Sequence, residues 1–233
     1  MKIEVCINRL EDVKTLRNKA VDRIELCIEL HCGGLTPSLA MVEQALKIST
    51  IPIHVLVRPR SGNFVYSKTT IDSMLKTCKQ LEQLEVQGIV TGVLNHSRKL
   101  DPEVLKLFRN TVQNSALYFH RAFDEIINPE RALLELQNFG FDGVLTSGQQ
   151  KTAMEGIEQL VSWQQLISSK FTILPGSGIN ANNCLNFKSK GFGWIHLSAK
   201  KLIHSHTNAS FEFPQYGLDM SELNTVISKI KPS

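Results

Sequence analysis

With 42% apolar and 21% charged side chains, the 233-residue chain reads as one ordinary soluble globular domain, long enough to bury its core without covalent staples. The net charge of +4 is dispersed, and its tightest basic groups are the pairs Arg98-Lys99, Lys188/Lys190 and Lys200-Lys201, which argues against a nucleic-acid partner. Five cysteines in no disulfide or zinc-ribbon spacing, an acidic N-terminus without a signal-peptide core and no apolar run of bilayer length point to a reducing cytoplasm and no membrane partner.

Along the chain, short β-rich runs alternate with longer helical patterns. The runs are Ile3–Asn8, Arg23–Cys27, Ile53–Arg58, Gly88–Leu94, Leu117–Phe123, Gly143–Thr146, Thr172–Pro175 and Trp194–Ser198. Eight such alternations predict a parallel sheet closed into a single-domain (β/α)8 TIM barrel over residues 1–233. An open doubly wound sheet would need a glycine-rich turn after the first strand, and Asn8-Arg9-Leu10 has none. Asp101-Pro102-Glu103 and Asn128-Pro129-Glu130 each read as a cap, a first-turn proline and an acid. Ala132, Leu133, Leu136 and Phe139 give one apolar stripe before Gly140, and Leu223, Val226, Ile227 and Ile230 give another near the end. Between them, Ser205 to Gly217 reads as an extended loop.

Side chains alternate across a strand, so each barrel strand has a helix-facing set and an axis-facing set. Ile3, Val5 and Ile7 suit the helices, which turns Glu4, Cys6 and Asn8 inward. The same rule turns Arg23, Glu25 and Cys27 inward, then His54, Leu56 and Arg58, then Tyr118 and His120, and finally His196 and Ser198. A barrel centre is normally aliphatic, so this charged set is either an ion-pair plug or a site. Cys6 and Cys27 end neighbouring strands at similar height. Two thiolates there would make a soft pair for Cu(I) or zinc, and two small buried hydrophobes would look the same in sequence.

Three loops suit an anion. Arg58 and Arg60 flank Pro59 after the third strand, and forked guanidiniums fit carboxylate or phosphate. Gly176 and Gly178 follow the seventh strand, where they serve either an anion site at a helix start or a tight turn. His196 and Ser198 close the eighth strand. These residues describe an enzyme acting on a small anionic metabolite, phosphorylated ones included, with His120 and either Glu25 or Asp124 exchanging protons.

Several blocks resemble the CutC family in order over about residues 3–200. They are Glu4-Val5-Cys6, Arg23-Ile24-Glu25-Leu26-Cys27, Gly33-Gly34-Leu35-Thr36-Pro37-Ser38, Arg58-Pro59-Arg60, His120-Arg121-Ala122-Phe123-Asp124, Leu145-Thr146-Ser147-Gly148, Pro175-Gly176 and His196-Leu197-Ser198-Ala199. The resemblance implies a TIM barrel, a cytoplasmic homo-oligomer and a role in copper homeostasis, with Cys6 and Cys27 as the cysteines that take up Cu(I). The chain departs from the family pattern at Asn63, where an aspartate is usual, and at Ser177, where the family has the middle glycine of three. Residues 201–233 carry no motif and form a C-terminal loop and helix.

Overall fold

The computed structural model describes residues 1–204 and 215–232. Eight strands form one parallel sheet: β1 (Lys2–Ile7), β2 (Arg23–Leu26), β3 (Ile53–Val57), β4 (Gly88–Thr91), β5 (Ala116–Phe119), β6 (Gly143–Thr146), β7 (Thr172–Pro175) and β8 (Trp194–Leu197). Their order is β7-β6-β5-β4-β3-β2-β1-β8, so β1 and β8, the first and last strands of the barrel, are hydrogen-bonded neighbours. β7 and β8 lie side by side at the seam, with no ladder joining them among the described residues. Among the described residues there are eight α-helices: α1 (Leu10–Leu16), α2 (Leu39–Ile48), α3 (Lys68–Gln83), α4 (Pro102–Thr111), α5 (Pro129–Asn138), α6 (Ile157–Gln164), α7 (Cys184–Ser189) and α8 (Met220–Ile230). The architecture is the expected TIM barrel.

Local chemistry sets the helix starts. Asp101 caps α4 by accepting from the Glu103 and Val104 amides, and Ser38, Ser67 and Asp219 cap α2, α3 and α8 in the same manner. Asn128 precedes α5 without a side-chain cap; Pro129 favours the start there because its φ is already helical and it brings no unpaired amide of its own. Outside the sheet, Ile3, Val5, Ile7, Ile24, Leu26, Ile53 and Val55 pack with the helices in the main apolar core. A separate inner cluster holds Cys6, Cys27, Leu56, Val90 and Tyr118. Alternation therefore sorts the side chains as the sequence predicts.

Two strands stop well early, while β1, β2, β3 and β8 end one residue before the expected position. β4 ends at Thr91, and β5 ends at Phe119 because Arg121–Glu125 coil into a 3-10 turn. His120 starts that turn, its Nδ1 accepting from the Ala122 amide at 3.1 Å. The extended loop expected over 205–217 is corrected at its end: Gln215–Leu218 is β10, antiparallel to β9 (Lys200–His204). Residues 205–214 lie outside the described residues.

Candidate functional site

The strand ends and following loops enclose a cavity of about 630 Å³ at the C-terminal face of the barrel. An ionic layer lies beneath its floor. Glu4 on β1 is paired in register with Arg23 on one side and His196 on the other. Its carboxylate accepts from Arg23 Nε, and its Oε1 lies 2.7 Å from His196 Nδ1. Burial pushes the Glu4 carboxyl up, but Arg23 and His196 outweigh it and hold it below the usual carboxylate range. Arg23 also lies over the rings of Trp194 (4.2 Å) and Tyr118 (4.5 Å), which closes the bottom of the barrel. The structural plug therefore exists, and it occupies only the lower layer.

Above it, Cys6 of β1, Glu25 of β2 and His196 line the cavity. Burial would pull His196 down, but hydrogen bonds to Cys6 and Glu4 and the charges of Glu25 and Glu4 hold it well above the ordinary imidazole range. Burial, with the charge of Glu4, leaves Glu25 raised despite the opposing pull of His196. Cys27 lies behind Cys6, with 3.5 Å between the sulfurs, and its thiol also lies 3.5 Å from the Ile7 carbonyl. The contact with Cys27, together with burial and the charge of Glu25, raises the Cys6 thiol well above its usual range. The sulfurs meet although the register sets Cys6 opposite Glu25, two residues before Cys27.

At the mouth, His120 is fully enclosed, and burial with the nearby Arg58 charge lowers it to about 3. Since its Nδ1 accepts from a backbone amide, the proton sits on Nε2, which is buried and has no hydrogen-bond partner. His120 thus offers Nε2–H as a hydrogen-bond donor, and its burial disfavours the charged form. Room for the ring comes from Gly92, where a Cβ would stand 2.5 Å from it. Arg58 spends its terminal nitrogens on the Cys32, Gly34 and Gly62 carbonyls, leaving a buried Nε without a partner.

Of the other expected residues, Gly178 and Ser198 line the cavity. Arg60 does not join it: its guanidinium clips its own loop through Ser61, Asn63 and Val65. Asn63 supplies an oxygen for that clip and needs no charge to do so. Gly176 packs against Leu145 and His196 beneath the surface, and the loop after β7 does not run straight into a helix, since α7 begins only at Cys184. Asp124 borders the cavity, and its carboxylate accepts from Thr146, Ser147, Gln149 and Arg121, which makes it an anchor for the β6 loop. Arg121 and Lys200 also border the cavity, and sequence reasoning missed both as site residues. Arg121 lies within the quoted His120–Asp124 block, and Lys200 directly follows Ala199; neither carries a local signal beyond its charge.

The model of the CutC family matches residues 1–201. The chain belongs to the CutC family. A family protein CutC of Pasteurella multocida (strain Pm70) is 40% identical over 204 residues, covering 86% of this chain and 82% of the relative. A crystal structure from Streptococcus agalactiae, provisionally described as a copper homeostasis protein CutC, has 28% identity and a TM-score of 0.80, covering 84% of this chain and 97% of that one. The thiamine phosphate pyrophosphorylase of Pyrococcus furiosus shares the barrel alone, with 15% identity and a TM-score of 0.56 over 85% of each chain. Among the described residues no helix is long and apolar enough to cross a membrane. The CutC match ends just after β8, within β9, and so leaves out α8, the helix that completes the barrel.

Proposed function

We propose that this CutC protein serves copper homeostasis by taking Cu(I) between the thiols of Cys6 and Cys27, in a reducing cytoplasm. The observation that carries this reading is the 3.5 Å between the two sulfurs, Cys6 lining the inner end of the cavity and Cys27 buried behind it. Two sulfurs form a soft donor pair, and with metal–sulfur bonds of about 2.3 Å one ion reaches both. The copper homeostasis description of the Streptococcus relative supports the same cargo. Arg58, Arg121 and Lys200 border the cavity together with the acids Asp124, Glu125 and Glu25, so the reading does not require an anionic carrier for Cu(I). It also carries self-association, which light scattering would test.

The test is competition with a Cu(I) chelator under reducing conditions. Wild type should withdraw one equivalent, Cys78→Ser should do the same, and the double change Cys6→Ser, Cys27→Ser should withdraw none. Equal uptake by the double variant would make the binding adventitious and end this reading.

A second reading rests on a separate observation. His120 Nε2 and Arg58 Nε are buried donors without partners in the wall of one cavity. Each such group costs about 1–3 kcal/mol until it is satisfied. Both suit an enzyme acting on a small anionic metabolite, with Glu25 as the group that carries the proton.

A further inference from the structure

Three side chains of different chemistry converge on the cavity floor. One ligand atom from each of Cys6, Glu25 and His196 lies within 4.8 Å of the other two. All three stand on strands, and parallel pairing fixes them: Cys6 is opposite Glu25, and Glu4 one pleat below is opposite His196. Placement on a sheet holds such a set more rigidly than loops do.

The imidazole is already oriented. Its Nδ1 meets the Glu4 carboxylate at 2.7 Å, and Arg23 holds that carboxylate from behind. Nε2 is left facing Glu25 Oε2 at 3.8 Å, too far for a direct hydrogen bond. A carboxylate behind the far nitrogen of a histidine is the usual support of a metal-bound imidazole. Thiolate, imidazole and carboxylate together are a mixed soft and hard set, which suits a borderline divalent ion better than Cu(I). Tetrahedral zinc spaces its ligand atoms about 3.3–3.8 Å apart, so shifts on the order of 1 Å would close these three on an ion.

We propose that Cys6, Glu25 and His196 form a second metal site, for a divalent ion of the zinc class, with its fourth position open to the cavity. The charges balance: one thiolate and one carboxylate match the ion, while Glu4 matches Arg23. The fourth position faces the space bordered by His120, Arg58 and Lys200, where water or a small anionic ligand completes the coordination. Because Cys6 also belongs to the thiol pair, the divalent ion and Cu(I) exclude one another. The site stands without Cys27, and the copper reading stands without Glu25 and His196.

Cobalt(II) is the probe, added to the reduced full-length protein. Wild type should bind one equivalent with thiolate-to-cobalt charge-transfer absorption and the intense visible bands of a tetrahedral ion, all displaced by zinc. Cys27→Ser should keep these bands while losing Cu(I) competition. Glu25→Gln and His196→Gln should weaken cobalt on the order of a hundredfold or more, after melting curves show each variant folded. Should either variant fail to fold, X-ray absorption on the zinc-loaded wild type decides: one sulfur with nitrogen and oxygen neighbours supports the site, and two sulfurs overturn it. Absence of cobalt bands in the wild type, or their loss in Cys27→Ser but not in Glu25→Gln, also overturns it, whatever the copper result.

Discussion

The carboxylate of Glu4 and the imidazole of His196 meet at 2.7 Å, although 192 residues separate them in the chain. They meet because β1 and β8 pair in parallel where the barrel closes on itself. Arg23 holds the other side of the same carboxylate, so one buried acid serves two cations. Replacing it strands both. Glu4→Gln should lower unfolding stability by about 3–5 kcal/mol, the usual cost of leaving a buried charge unpaired. Urea denaturation measures it, and a loss under about 1 kcal/mol would show that solvent already relieves Arg23 and His196.

Stability should peak near neutral pH. Burial lowers His54 and His120 to about 3, from 6.5 in the unfolded chain. Between those values the unfolded state binds two more protons at these sites, so stability is lost as pH falls through the window, by up to about 2.7 kcal/mol per unit. Glu25, raised in the fold from 4.5, offsets part of that slope above 4.5. His196 and Cys6 have the opposite sign. Both hold protons in the fold that the unfolded chain releases, His196 above 6.5 and Cys6 above 9.0, so stability is lost again as pH rises. Urea midpoints across pH 4–9 should trace a dome, and His54→Gln should flatten its acid limb by one proton. An unchanged acid limb would mean that His54 is protonated within the fold.

Lys200 rather than Arg60 should govern the response to anions. A ligand that binds only the folded state adds about 2.7 kcal/mol at a hundred times its dissociation constant. Phosphate and small phosphorylated compounds should raise the melting temperature of the wild type and of Arg60→Ala, whose loop clip lies outside the cavity. Lys200→Gln should keep only the general stabilisation by excluded salt. Equal gains in all three proteins would assign the whole effect to salt.

Gly92→Ala should abolish the same anion response. Its methyl group would fall 2.5 Å from the His120 ring, forcing the Nε2–H donor out of place at a stability cost of about 1–3 kcal/mol. Gly193→Ala is the control, since no atom lies within 4 Å of its added methyl. An intact anion response in Gly92→Ala would remove His120 from the ligand site.

Ser177→Gly should stabilise the protein. Ser177 has φ +88°, a left-handed conformation that costs a residue with a Cβ about 1–2 kcal/mol. Its hydroxyl recovers part of that by donating to the Lys151 carbonyl at 3.0 Å. A gain of about 1 kcal/mol is expected from the denaturation midpoint. Ser177→Ala should be less stable than either, because it keeps the strain and loses the bond. A glycine variant less stable than wild type would show that the hydroxyl outweighs the backbone.

The eight strands, their inward sets and the CutC motifs were legible because all three depend on local order. A period of two sorts Ile3, Val5 and Ile7 from Glu4 and Cys6 in any half-buried strand, whatever it pairs with. The pairing of Glu4 with His196, the 3.5 Å between the thiols and the meeting of Cys6 with Glu25 and His196 were decided by register and closure of the sheet. So was the fate of each loop residue. Arg60 and Asp124 look like Arg58 and Glu25 in sequence, since charge is all that a one-dimensional reading can weigh. In the fold, backbone and side-chain groups of the surrounding loops take up the hydrogen bonds of Arg60 and Asp124, while Arg58 keeps a free nitrogen and Glu25 faces the cavity. Which buried polar groups are satisfied depends on where the chain passes a second time, and only the tertiary structure contains that path.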